Sequence, residues 1–117
     1  MVEILRERQL RPHLLVHEKV LGDFSGIETS DPNCVVIGDA ADGFSFANLN
    51  RAFQVLLQSP SLPLFCLGKG KFYREDSDLQ LDVGPFAAAL EFASERKAEV
   101  DIELRTKQES TYLAGVR

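Results

Sequence analysis

Two carboxylates that follow an apolar run are the first residues in this sequence able to do chemistry. In VVIGDAADG, Asp39 and Asp42 come just after Val35, Val36 and Ile37, where a strand would deliver side chains to the open edge of a sheet. A nucleophile with a neighbouring acid/base would need two carboxylates in such a place. Here they stand three apart, and turn-forming roles account for both. The second candidate is GKGK, residues 68–71, which sets Lys69 and Lys71 after another apolar run. Two lysines there could meet an anion, but the spacing and the Ser/Thr of a phosphate-binding loop are missing, so a solvated turn is the simpler reading. His13 and His17 fall in a predicted strand, on one face but about 13 Å apart, too far to share a metal. No Cys or carboxylate cluster completes a site around them. Cys34 and Cys66 both lie inside apolar runs, which predicts buried, reduced thiols. Ser25, Ser30 and Ser59 have ordinary capping explanations.

These groups need elements to position them, and the strongest signal runs from Cys34 to Gln58. Residues 34–37 form a short apolar run of the kind found in a strand covered on both faces. Ser45 is a good helix N-cap, with Phe44 before it able to staple onto Leu49. Phe46, Leu49, Phe53, Leu56 and Leu57 follow at helical spacing and predict the buried face, with Asn50, Arg51, Gln54 and Gln58 opposite. Upstream, residues 2–9 have helical spacing, Arg11-Pro12 breaks it, and HLLVH (13–17) predicts a first strand. A short helix over 18–24 and a turn-rich connection through Asp31-Pro32-Asn33 lead to the second strand.

Downstream, SPSLP ends the long helix and LFCL (64–67) predicts a third strand. Three short strands with helix-length connections imply a parallel sheet with right-handed crossovers. Residues 68–82 predict an excursion with one hairpin, turning at Asp76-Ser77-Asp78. Gly84-Pro85 opens a last helix with Pro85 at its first position. Phe86, Ala89, Leu90 and Ala93 are its expected buried face, with Glu91, Glu95 and Arg96 in water. AEVDIEL (98–104) alternates as a final strand would, and the polar remainder is expected to be loose.

The chain has 117 residues and a net charge of −5. That length supports one modest core. The negative charge gives no reason to bind nucleic acid or an anionic membrane. No apolar run approaches the ~18 residues of a membrane span. MVEILRERQL has neither a secretory h-region nor the character of a transit peptide. A cytoplasmic location, extending to the nucleus, is the expectation.

Four segments taken together go further: LRPHLLVHEKV, SDPNCVVIGDAADGFSFANLNRAFQVLL, LGKGKFYRE and LQLDVGPFAAALEFASERKAEV. In order and spacing they resemble the large cap domain of the haloacid dehalogenase-like phosphatases, in the family that acts on phospholysine, phosphohistidine and inorganic pyrophosphate. The resemblance runs from about Ile4 to Val100. Large-cap relatives of the phosphoglycolate or pyridoxal phosphate phosphatase kind are the runner-up.

The resemblance implies an α/β fold, a small mostly parallel sheet with helix crossovers and an edge hairpin. It divides the chain into a remnant of an upstream helix (1–10), a cap-like domain (11–100) and a divergent C-terminal tail (101–117). In that family a Rossmann-like core carries the nucleophilic Asp, the acid/base Asp, the catalytic Lys and the magnesium-binding acids. The cap closes over the substrate to select it and exclude water. The nucleophile motif places its aspartates two apart, which Asp39 and Asp42 do not match. The glycine-lysine-proline segment that supplies the catalytic Lys does not follow Val100. Similarity stops at Asp101, and an alternative or truncated C-terminus is expected.

The expected function is therefore that of a substrate-specificity fragment, inactive alone, with no catalytic residue and no metal ligand assigned within it. Magnesium is implied only for the full-length family member. Asp42, Lys69, Lys71 and Tyr73 are the residues expected to face a phosphorylated small molecule or a phosphorylated protein side chain. The alternative is a non-catalytic module that associates with a partner, a core domain or a second copy of itself.

Overall fold

The computed structural model describes residues 1–100. The elements are α1 (Val2–Glu7), β1 (Pro12–Leu15), α2 (Glu18–Leu21), β2 (Cys34–Ile37), α3 (Phe46–Leu56), β3 (Leu64–Cys66), β4 (Phe72–Glu75), β5 (Asp78–Leu81), α4 (Val83–Ser94) and β6 (Glu99–Val100). Single 3-10 turns follow α2, at Gly22–Phe24, and β2, at Ala41–Gly43. The expected final strand is described only over Glu99–Val100, and the rest of it, like the tail, lies outside the described residues.

The main sheet is parallel, in the order β1-β2-β3-β6, with β4 and β5 forming a separate antiparallel hairpin. All four residues of β2 are buried, as a central strand covered on both faces requires. Alternate residues face opposite layers. Val35, Ile37, Leu64 and Cys66 pack with Ala52, Val55 and Leu56 of α3 and Val83, Ala87 and Leu90 of α4. Cys34, Val36, Phe65 and Leu67 pack with Leu5 of α1, Val20 of α2 and Phe24. A helix–sheet–helix sandwich results, small on one side.

The layers settle the handedness of the connections. The chain steps one way across the sheet from β1 to β2 to β3. Its first connection packs on the α1 face and its second on the α3 face. The two crossovers therefore have opposite hands, and the expectation that both are right-handed fails for one of them. That preference belongs to a strand feeding a helix that packs back on the sheet. Between β1 and β2 there is only one helical turn, a 3-10 turn and a loop.

The faces that spacing suggested hold in part: Leu49, Phe53 and Leu56 of α3 and Leu90 of α4 do face the core, but both helices are turned so that other expected residues lie outside it. Ser45 does cap α3, its Oγ accepting from Asn48 N at 3.2 Å. Phe46, however, is 82% exposed and Leu57 59% exposed, while Ala52, Val55 and Leu56 are buried. Phe44 stacks on Phe86 of α4, with ring centroids 4.0 Å apart. In α4 the N-cap is Asp82, not Gly84, so Pro85 sits at the third helical position. Val83, Ala87 and Leu90 are buried, Ala89 and Ala93 are exposed, and Phe92 is 89% exposed. A helix apolar on most sides leaves its orientation to packing.

Two polar residues of this region, expected in water, hold the fold instead. Arg96 donates to the carbonyls of Leu56, Ser59 and Leu62, closing the C-terminus of α3. Glu91 accepts from Lys69 Nζ at 2.9 Å and from Ala98 N at 2.8 Å. On the other face, Arg8 pairs with Glu99 at 3.1 Å and lies over the Phe65 ring, tying α1 to the β6 edge.

Candidate functional site

A parallel sheet presents the C-terminal ends of its strands as one edge, and ligand-facing loops belong there. Two segments converge on that edge: residues 38–44 after β2, and residues 68–71 leading from β3 into the hairpin.

The first loop is held by its own backbone. Asp39 Oδ1 accepts from Ala41 N at 3.1 Å, and Ala41 adopts φ +48°, a conformation costing about 1–2 kcal/mol for a residue with a Cβ. Gly43 N donates to Ala40 O and Phe44 N to Ala41 O. Asn48 Nδ2 reaches back from α3 to Gly43 O at 2.9 Å. With Phe44 stacked on Phe86, both ends are anchored, and exposed Asp42 is carried at the tip of a 3-10 turn.

The second segment is anchored on α4. Gly84 N donates to Gly70 O at 2.8 Å and Asp82 N to Lys71 O at 3.2 Å. A Cβ on Gly84 would stand 2.6 Å from Gly70 O and 2.7 Å from Lys69 O, so glycine is needed for this approach. The lysines separate in role. Lys69 is paired with Glu91, whose pKa is lowered: burial opposes its ionisation, but the Ala98 N–H and Lys69 outweigh it. Lys71 is exposed.

Around Tyr73 the edge is acidic. Burial and then the charge of Asp39, followed by Glu75 and Asp82, raise the Tyr73 pKa, and its hydroxyl donates to Glu75 at 3.4 Å. Burial and Asp39 likewise raise Asp82, against the Val83 N–H bond at 2.7 Å. The structure thus brings Asp39, Tyr73 and Asp82 within electrostatic reach of one another. Sequence reasoning weighed Asp39 and gave it a turn role, and it did not single out Asp82. The only sign of Asp82 was an acidic residue just before an apolar helix, a cap signal.

Other candidates resolve into structural roles. His17 is outside β1, as the N-cap of α2, with Nδ1 accepting from Lys19 N at 3.1 Å. The expectation of two histidines on one strand face is thus corrected, because the strand ends at Leu15. Cys34 and Cys66 lie on opposite faces of the sheet, both buried and unbridged. Burial pushes the Cys34 thiol up to about 12. Among the described residues no three His, Cys, Asp or Glu side chains gather where they could hold a metal ion. Asp39 and Asp82 each accept one backbone N–H through Oδ1. These residues do not fit a magnesium site.

An α/β layer with a parallel sheet, helices on both faces and a separate hairpin is an architecture found within phosphatases. The chain matches the crystal structure of 4-nitrophenylphosphatase from Thermotoga maritima with a TM-score of 0.70 and 20% identity, over 85% of this chain and 39% of that one. It matches a putative nagD protein with a TM-score of 0.69, over 85% and 40%. In sequence it is homologous to part of the phospholysine phosphohistidine inorganic pyrophosphate phosphatases. Identity is 58% over 97 residues to the Bos taurus protein and 54% over 98 residues to the Homo sapiens protein. Haloacid dehalogenase-like hydrolase domain-containing protein 2 of Bos taurus is 45% identical over 97 residues. The chain spans about 36% of the length of the phospholysine phosphohistidine inorganic pyrophosphate phosphatases it matches. No family model matches it.

Proposed function

We propose that residues 11–100 are the cap of a haloacid dehalogenase-like phosphatase, the part that selects the substrate rather than the part that cleaves it. The observation carrying this reading is the strand-end edge itself. Two anchored loops converge there, presenting Asp42, Lys71 and Tyr73, while the carboxylates beside them are engaged by backbone. Lys69, held by Glu91, positions the 68–71 segment and faces ligand only through its exposed flank. The parent reaction is hydrolysis of phosphohistidine, phospholysine and pyrophosphate, as the relatives' names state. Magnesium and the groups that attack phosphorus then come from residues outside 1–100, and the protein works in the cytoplasm.

The test has two arms. The purified 117-residue chain, incubated with magnesium and pyrophosphate, is expected to release no phosphate, and metal-dependent turnover by this chain would overturn the reading. A chimera in which residues 11–100 replace the matching segment of the Bos taurus relative is expected to hydrolyse pyrophosphate. In it, Asp42→Ala and Tyr73→Phe should change KM more than kcat. A chimera that folds and turns over with KM indifferent to both changes removes the edge from substrate selection.

A second reading is favoured by exposed apolar side chains. Phe46, Phe92, Leu79 and Leu81 are all solvent-facing, and surfaces of this kind associate. A strict monomer at high concentration in sedimentation would count against association with a second copy.

A further inference from the structure

We propose that the crevice beside the carboxyl ends of β1 and β2 binds a small organic cation with an apolar body, an arylalkyl amine in its simplest form. The topology makes the crevice. The connection leaving β1 packs on the α1 face and the one leaving β2 packs on the α3 face, so the chain parts to opposite sides of the sheet between these neighbouring strands. Open α/β sheets hold ligands at strand ends where connections diverge in this way. The inference stands whether or not the chain serves as a cap.

Two hollows meet there, with Val16 and His17 walling both. The larger encloses about 630 Å³, within the range of small-molecule sites. Its inner wall is apolar, formed by Val16, Val20, Phe24 and Leu67. Gly38 keeps its base open: a Cβ there would stand 3.0 Å from Leu67 Cδ1 and 3.3 Å from Val16 Cγ1. The smaller hollow, about 340 Å³, is bounded by the 40–43 turn and the start of α2. Asp39 lines the larger hollow and the next residue, Ala40, lines the smaller, which places Asp39 where the two meet.

Charge selects the sign of the ligand. Glu3, Asp23 and Asp39 line the larger hollow and Glu18 and Asp42 the smaller, against Lys19 and the terminal amine carried by Met1. The His17 ring uses Nδ1 to cap α2. The rim is therefore negative, and an apolar wall behind it focuses that field. Asp39 also has an acceptor to spare. Its Oδ1 takes the Ala41 N–H at 3.1 Å, while among the described residues Oδ2 accepts no hydrogen bond. An ammonium there would gain a charge-assisted hydrogen bond, and an apolar body behind it would cover the Val20 and Leu67 wall. An anion of the same shape would be repelled.

The test is titration of the full chain with phenethylamine, phenethyl alcohol and phenylpropionate, followed by methyl NMR. The amine should shift the Val16, Val20 and Leu67 methyl resonances saturably and bind about tenfold tighter than the alcohol, with the carboxylate weakest. Added salt should weaken the amine and spare the alcohol. Asp39→Asn keeps an oxygen for the Ala41 N–H, so it should hold the loop yet weaken the amine about fivefold and leave the alcohol unchanged. Equal affinity for amine and alcohol overturns the proposal, as does the lack of a saturable shift at these methyls with millimolar amine. Where Asp39→Asn disturbs the fold, Asp23→Asn on the 3-10 turn replaces it, and amine binding indifferent to that change overturns the proposal too.

Discussion

His13 sits on β1 with its ring half-buried, and Arg51 of α3 adds positive charge nearby. Burial first, and then Arg51, lower its pKa below the ordinary 6.5. The folded chain therefore favours the neutral ring, and the unfolded chain takes up the proton first as pH falls. Linkage gives the sign: the contribution is intact above about 6.5 and is lost as pH drops through the interval down to the lowered folded value. The urea midpoint should fall between pH 7.5 and pH 5.5, and His13→Gln should shrink that fall. An equal fall in both proteins would mean that other groups carry it. His17 contrasts with it: as the N-cap of α2 it has a backbone role, its Nδ1 accepting from Lys19 N.

At the scale of elements, two contacts hold the helices to the site, and both are side chain or backbone reaching far along the chain. α3 ends without a left-handed glycine, so its last carbonyls need another donor. Arg96 supplies it from beyond α4. Since hydrogen bonds to a charged group are worth ~1.5–3 kcal/mol each and only part of that is net, Arg96→Ala should cost about 2–3 kcal/mol. Arg96→Lys should recover only a fraction, because an ammonium cannot fork to three carbonyls. Denaturant midpoints of the two variants give the comparison. Gly84→Ala tests the second contact. With a Cβ forced against two backbone carbonyl oxygens, it should destabilise by about 1–3 kcal/mol. Stability equal to wild type would show that the 68–71 segment is not pressed against α4.

For the molecule as a whole, the sheet separates its two thiols, one in each core layer. Neither is accessible without opening a layer, and burial keeps both protonated. Both should react with an aromatic disulfide reagent only as fast as the fold opens, with matching rates that rise together in urea. Rapid labelling of one at low denaturant would mean that its layer opens alone.

Residues 34–37, the Ser45 cap and the hairpin turn at Asp76-Ser77 were legible because short-range rules decide them: apolar runs, capping oxygens and turn residues act within a few positions. The family resemblance across Ile4 to Val100 was legible for the same reason, being carried in contiguous motifs. The structure alone decided how far α3 and α4 are turned about their axes, that Glu91 and Arg96 are internal ties, and that Asp39, Tyr73 and Asp82 meet. Those outcomes depend on residues tens of positions apart being brought together. A helix with apolar residues on several sides, or a charged side chain with its partner 40 positions away, has no local signal to say which surface wins. Burial and the pairing of polar groups settle that only once the layers close.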